Sequence, residues 1–405
     1  IARIAAGPLR SGMLRLAVIG MLLLVNIAIT LRAFPNYISY FNLVSGGSAN
    51  GYRILVDSNL DWGQDLPALA DYLRETDADT VYLSYFGQAE PAYYGIDYTP
   101  QPGWPPPTPD PSRPAFAPLN PAPGLYAISA SNLVGVQLYQ PETFGYFRAR
   151  EPLARINNSI FIYDVPDTVE AADVWVGQCA DTPVEAEEYL PELVGKASID
   201  TLYFDCNTSL SSFRQPGWVM LPAGREPVGL DRPADFLSRN ADGSPKYGAW
   251  RVVEAPPAPP STVEFPAVPL PVPVAGYIEM LGYQLSAPDA APGDTLTLTV
   301  WWSVREVPPP PVSLFAHILG GDGSLLVAGD ALGVAIEDWE PGMVLIQQHQ
   351  FVLPEATPPG LYAVTTGLYS LGTGERFPIA RSGDRVVDRI ALKSIQIGVE
   401  ATPEP

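Results

Sequence analysis

The chain has 405 residues, with 44 acidic against 23 basic side chains and a formal charge of −21; one hydrophobic core rarely organises so long a chain, so two or more domains are expected. Its acidity excludes a nucleic-acid binder. The 46 prolines cluster instead of recurring with a period, which excludes a fibrous repeat and points to linkers and rigid loops.

Charge is segregated along the chain. Residues 1–34 carry Arg3, Arg10, Arg15 and Arg32 and no acid, and from Leu16 to Leu31 only Asn26 and Thr30 are polar. At about 1.5 Å per residue this run is slightly short of a hydrocarbon layer of roughly 30 Å. Ala33 and Phe34 lengthen it, and the flanking arginines can snorkel. It reads as a transmembrane helix within a segment 1–34. A buried core helix would show a polar face, and a cleaved leader would be followed by a small-residue site that this run lacks. Three arginines precede the span and one follows. The positive-inside bias therefore places the N-terminus in the cytoplasm and residues 35–405 outside the cell membrane.

Beyond the span, the runs at 52–57, 80–86, 124–130 and 159–165 are short, apolar and bounded by polar turns. Between the first two, Leu66, Leu69, Ala70 and Leu73 fall at helical spacing. Strands alternating with helices predict a small, mainly parallel α/β sheet. The pattern recurs at 174–206, so the α/β domain is drawn over 35–254, interrupted by an extended proline-rich loop at 100–123. Residues 255–273, APPAPPSTVEFPAVPLPVP, read as a semi-rigid spacer. Over 274–399 the texture is all-β. In TLTLTVWWSV (295–304), Leu296, Leu298, Val300 and Trp302 share one face, and the later runs complete an antiparallel β-sandwich. No periodic internal repeat is evident, and 400–405 read as a disordered tail. The fold class is thus α/β plus all-β.

The decapeptide DSNLDWGQDL (57–66) is the densest polar cluster. Asp57, Asn59 and Asp61 copy the first three ligand positions of a calcium loop, but Trp62 stands where the turn needs glycine and Ala68 where the bidentate glutamate belongs. A looser ligand or metal site formed by Asp57, Asn59, Asp61, Trp62, Gln64 and Asp65 would lie at the carboxyl end of the first strand. The competing reading is structural: Asp57 ends a strand, Asn59 or Asp61 turns the chain, and Asp65 caps the helix from Leu66. Cys179 and Cys206 each end a strand-like run, where a disulfide is feasible and suits an extracytoplasmic protein. His317 and His349 are expected as solvated strand residues, without a nucleophile beside them. Trp301 and Trp339 are the candidates for stacking on a sugar ring. Asn157 and Asn207 head glycosylation sequons.

The stretch LRAFPNYISYFNLVSGGSANGYRILVDSNLDWGQDLPALADYL (31–73) resembles the C-terminal end of multi-pass membrane glycosyltransferases of the GT-C type. These are the bacterial PMT-like proteins related to dolichyl-phosphate-mannose-protein mannosyltransferases. Pro35, Tyr37, Tyr40, Phe41, Asn42, Gly46, Gly47 and Asp57 to Leu66 fit that family's pattern. The resemblance implies sugar transfer from a polyprenyl-phosphate donor at the outer membrane face, with a divalent cation as a candidate cofactor of the parent enzyme. The family's catalytic acids lie in a first loop that has no counterpart here, so no catalytic residue carries over. The chain is then expected to be a non-catalytic fragment. Its expected partners are the lipid bilayer, a membrane-embedded core and an acceptor glycan or protein. The alternative is a self-contained, membrane-anchored surface protein with a carbohydrate- or protein-binding sandwich; a hydrolase built on the aspartates of 57–65 is a third.

Overall fold

The computed structural model describes residues 12–398 apart from 109, 111, 113–114, 167–174, 197, 214, 241, 267 and 383–384. The cytoplasmic stub expected before Gly12 and the tail at 400–405 lie outside the described residues. Helix α1 (Gly12–Ala33) is one unbroken element, and no part of its most apolar window is buried. Its two uncharged polar side chains bond along the helix itself: Asn26 Nδ2 donates to the Leu22 carbonyl and Thr30 Oγ1 to that of Asn26, each at 2.9 Å. That self-satisfaction is what a hydrocarbon environment demands. The helix is long and apolar enough to cross a membrane.

The chain divides into two compact units at Thr168/Val169, not at the proline spacer. In the first, α2 (Leu66–Glu75) buries Leu66, Leu69, Ala70 and Leu73 as its spacing predicts. It covers a sheet of β1 (Val81–Ser84), β2 (Tyr98–Pro100), β3 (Gly124–Ser129), β4 (Ala154–Ile156) and β5 (Ile160–Val165), in the order β2-β1-β3-β5-β4. Short helices α3 (Ala130–Val134) and α4 (Gly145–Arg148) follow β3. Alternation along the strands splits the core. Leu83, Ala127 and Ile162 face α2, while Tyr126, Ile128, Phe161 and Tyr163 pack on Phe144 and Phe147. Fully burying an apolar side chain of this size contributes roughly 1.5–3 kcal/mol.

The sheet is mixed, which corrects the mainly parallel expectation: β1 runs parallel to β2 and β3, but β5 is antiparallel to β3 and β4. The β4–β5 pairing is closed by a tight turn across residues 157–159. Asn157 and Asn158 take φ of 47° and 69°, the left-handed pair that a tight hairpin requires and asparagine tolerates. The expected first strand at 52–57 is also absent. Ser48–Arg53 form a 3₁₀ turn, and Tyr52 tucks its ring against Phe161 at 4.8 Å.

The second unit begins with β6 (Trp175–Cys179), α5 (Leu190–Val194), β7 (Asp200–Phe204), β8 (Ser209–Ser212), β9 (Gly217–Pro222), β10 (Phe236–Arg239) and β11 (Pro245–Val252). Five of these strands form a sheet ordered β10-β11-β9-β6-β7, with β6 parallel to β7 and β9 and the other pairs antiparallel. Leaving β8 aside, this is the path of the first sheet: second, first, third, fifth, fourth, with two parallel and then two antiparallel pairings. The two sheets are topological copies. Their third strands open alike, Pro123-Gly124-Leu125 and Pro216-Gly217-Trp218, a repeat that the sequence reading missed.

The remaining strands are β12 (Val272–Val274), β13 (Ile278–Leu285), β14 (Asp289–Ala290), β15 (Thr295–Val304), β16 (Val312–Leu319), β17 (Leu325–Ala328), β18 (Val344–Val352), β19 (Gly360–Ser370), β20 (Ala380–Ser382), β21 (Arg385–Val387), β22 (Ile390–Ala391) and β23 (Ile395–Ile397). With β8 they build two sandwich-like sheets, β12-β13-β15-β18-β8 and β14-β23-β19-β16-β17, with β22 pairing beside β19, while β20 and β21 form a separate two-stranded sheet. Leu298, Val300 and Trp302 share one core with Leu314, Ile318 and Val364. Strand β8 leaves its neighbours to pair with β18, and Trp175, Leu202 and Leu210 join the same core. Residues 175–252 therefore belong with the sandwich and not with residues 35–168. Nor is 255–273 a free spacer: the N–H groups of Glu264 and Phe265 donate to the Ala391 carbonyl, and the Tyr283 hydroxyl to that of Thr262.

Candidate functional site

The decapeptide at 57–66 is the place to start, because α2 and the carboxyl ends of β1 and β3 hold it from three sides. Asp57 takes a left-handed φ of 59°; its N–H donates to Ser131 Oγ at 2.9 Å, and its Oδ2 accepts from Gln137 Nε2 at 3.1 Å. Asn59 lies exposed on the short 3₁₀ turn Asp57–Asn59. Trp62 is also exposed, its indole N–H donating to the Ser58 carbonyl at 3.1 Å. Gln64 folds back, its Oε1 accepting the Trp62 N–H and its Nε2 donating to Asp65 Oδ2.

Asp65 does not cap α2 with its side chain. Its carboxylate points into the unit, where Asn157 Nδ2 donates to Oδ1 at 3.0 Å and the Ser159 hydroxyl donates to Oδ2. These donors lie within the tight turn between β4 and β5. One buried carboxylate thus locks the start of α2 to the far hairpin, which offsets the cost of burying it. Asn157, the head of a sequon, is occupied by this bond.

Asp61 is fully buried. Oδ1 accepts the Gly63 N–H at 2.9 Å, while Oδ2 has no hydrogen-bond partner. Desolvation pushes its pKa up to about 7; the Gly63 N–H and the Ser129 hydroxyl oppose the rise, and the charges of Asp65 and Asp57 add to it. A polar seam continues from here along the strand ends. Ser129 Oγ accepts the Phe86 N–H at 3.0 Å, Asn132 Nδ2 donates to Ser84 Oγ at 3.1 Å, and Ser84 Oγ donates to the Pro102 carbonyl at 2.6 Å. Asn132 Oδ1, like Asp61 Oδ2, is buried without a partner.

Such a seam at the carboxyl ends of parallel strands is where open α/β sheets bind ligands. Here it is closed. The Tyr85 hydroxyl donates to the Gly63 carbonyl at 2.8 Å, so tightly that a Cβ on Gly63 or Gly87 would stand 2.1 or 2.4 Å from the Tyr85 oxygen. The proline-rich loop covers the seam through Pro102 and Gly103 and is not merely a surface loop, since Leu119 is buried at its far end. A cleft of about 220 Å³ in the same unit opens where the strands begin, lined by Arg74, Asp77, Asp79 and Asp97. It lies at the other end of the sheet from Asp61.

The aspartates do not fit a shared divalent cation. Among the described residues the carboxylates of Asp57, Asp61 and Asp65 do not gather within 4.8 Å of one another. Each faces its own partners. The set can fasten a fold: Asp61 and Asp65 are buried and Asp57 is half-buried.

In the second unit, Cys179 and Cys206 are joined by a disulfide. Arg225 lies over it, its Nη1 at 2.7 Å from Cys206 Sγ and 3.3 Å from Asp181 Oδ1, and holds the Asp181 carboxyl below its ordinary range. Neither proposed stacking residue faces outward: Trp301 is 4% and Trp339 3% exposed. The loop at Gly229 lies over Trp301, and the Trp339 indole donates to the Val334 carbonyl. Alternation alone could not show that both faces of β15 are covered.

The histidines also differ from expectation. His349 is buried, its Nδ1 2.7 Å from the Gly329 carbonyl, and burial pushes its pKa down to about 4. His317 bridges two charges: Nδ1 lies 3.0 Å from Arg376 Nη2 and Nε2 3.0 Å from Asp330 Oδ1. Arginine only donates, so Nδ1 accepts and the proton sits on Nε2, facing the carboxylate. Burial keeps the ring neutral by lowering its pKa, against the pull of Asp330. This chain of three polar groups, with Arg376 over the Phe315 ring at 4.3 Å, was invisible in sequence because its members lie on separate strands and turns.

No family model matches the chain, and no curated protein matches it. Solved structures give partial likenesses. The C-terminal domain of Wzt is 12% identical with a TM-score of 0.22, the match covering 31% of this chain and 76% of that one. A CARDB domain from Pyrococcus furiosus is 10% identical with a TM-score of 0.20, covering 31% and 97%. A family 123 glycoside hydrolase from Clostridium perfringens is 11% identical with a TM-score of 0.19, covering 28% and 23%. Scores this low carry no argument about function.

Proposed function

We propose that the chain is the extracytoplasmic, non-catalytic part of a membrane glycosyltransferase that uses a polyprenyl-phosphate sugar donor, and that it positions an acceptor or partner beside the membrane-embedded core. The observation that carries this reading is how DSNLDWGQDL is used. The residues that resemble the GT-C tail hold together a closed scaffold directly after a membrane-length helix, through the Asp65–Asn157–Ser159 bonds and the buried Asp61. A catalytic role for the aspartates would need a carboxylate open to a substrate, and Asp61 and Asp65 are both buried. In this reading the N-terminus is cytoplasmic and residues 35–405 lie outside, where a disulfide persists. The burial of Trp301 and Trp339 removes the main support for a sugar-binding sandwich as the whole function.

The test compares sugar transfer from a polyprenyl-phosphate donor by the natural full-length protein, by that protein lacking residues 35–405, and by residues 35–405 alone. Transfer that needs the full-length protein and falls on truncation is expected. Turnover by residues 35–405 alone would overturn the assignment.

A further inference from the structure

Residues 33–56 contain no acidic side chain and one base, Arg53, in a chain of net charge −21. They begin where the apolar helix ends and wrap onto the first unit. Asn36 Nδ2 donates to Asn157 Oδ1, Ser39 Oγ to the Asn157 carbonyl and Arg155 Nη1 to that of Ala49. Phe41 and Tyr52 turn inward onto the aromatic core. The aliphatic residues turn the other way: Leu43 is 93% and Val44 98% exposed, and Tyr37, Ile38, Tyr40, Ile54 and Leu55 are exposed as well.

Leu43 and Val44 are not on a frayed loop. They sit on the 3₁₀ turn Leu43–Ser45, where Asn42 Oδ1 accepts the Ser45 N–H at 3.0 Å and Gly46 closes the turn at a φ of 85°. With its caps satisfied, the turn can leave water without stranding those polar groups. A fixed, acid-free surface with two aliphatic tips and flanking tyrosines has the composition of the membrane–water interface, where aromatic rings and short apolar segments lie beside an arginine.

We infer that this face seats in the headgroup region of the membrane crossed by the helix, with Leu43 and Val44 inserted as a hydrophobic tip. The first unit then lies on the bilayer instead of hanging from a flexible tether. The inference rests on the helix spanning the membrane, and its occupant is lipid: the tip is continuous with the span, and the lack of acids between Ala33 and Val56 suits a surface that the rest of the chain would avoid.

Both native cysteines are in the disulfide, so single cysteines can be spin-labelled selectively. The full chain, as Leu43→Cys, Val44→Cys, Leu23→Cys in the helix and Ser324→Cys on an exposed turn of the second unit, is placed in nanodiscs of phosphatidylcholine and phosphatidylglycerol. Collisions with oxygen and with a water-soluble nickel chelate are then measured. The expected result is a several-fold higher oxygen-to-nickel ratio at 43 and 44 than at 324, and a still higher ratio at 23. Ratios at 43 and 44 equal to that at 324, with 23 deep in lipid, overturn the inference and leave the span intact. A water-like ratio at 23 defeats both. An immobilised label at 43 and 44 shielded from both reagents means that protein covers the tip, which also overturns the assignment to lipid.

Discussion

Asp61→Asn tests what burying this carboxyl costs the first unit. The carboxyl is fully buried, and its pKa rises from 3.8 to about 7. The folded state therefore keeps a proton that the unfolded chain releases near pH 4. Stability contributed by this group falls as pH climbs from about 4 to about 7 and stays low above that. Three units at about 1.4 kcal/mol each amount to about 4 kcal/mol at pH 8. Asparagine keeps the oxygen that accepts the Gly63 N–H and brings no charge into the core. The variant is expected to match the wild type near pH 4 and to exceed it by up to about 4 kcal/mol at pH 8. Urea-dependent hydrogen exchange of α2 and β3 in the detergent-solubilised chain, at both pH values, reads the difference. A difference independent of pH, or a variant that is less stable at both, would refute the reasoning.

Asp65→Ala leaves the Asn157 amide and the Ser159 hydroxyl without their acceptor and should cost the first unit about 3 kcal/mol, measured by the same exchange; a loss below about 1 kcal/mol would mean that the hairpin stands without the carboxylate. His349 has a folded pKa of about 4, below its unfolded value, so its share of stability is complete above about pH 6.5 and is lost as pH falls toward 4. His349→Leu should therefore flatten the second unit's melting temperature between pH 7.5 and 5, where the wild type declines. The disulfide closes a separation of 27 residues, so Cys179→Ser with Cys206→Ser should destabilise the second unit by about 3–4 kcal/mol in urea unfolding. Two thiols titrating in the unreduced native protein would contradict the bond itself.

Local periodicity carried the regular elements. Leu66, Leu69, Ala70 and Leu73 marked α2, and the alternation from Leu296 to Trp302 marked β15, because each pattern is written within one element. What failed was set at a distance. β8 is the short polar run SLSS, and only its pairing with β18 makes it a strand. The unit boundary moved for the same reason. Asp65 sits at a capping position, yet the donors that take its carboxylate lie on the hairpin at Asn157 and Ser159. The decapeptide was legible as special, while its closure by Tyr85 and the proline-rich loop was not.

The twin sheets give the chain a built-in comparison. Ser84 ends the first strand of one copy and Cys179 that of the other; Asn132 and Arg225 each stand three residues beyond the end of the third strand. Corresponding positions thus hold a neutral polar lock in one copy and a covalent staple with its arginine in the other. One strand topology is secured by two different chemistries, and only one of them responds to reductant. Reducing conditions should loosen the sheet of the second unit and leave the sheet of the first unit, which follows the apolar helix, as it was.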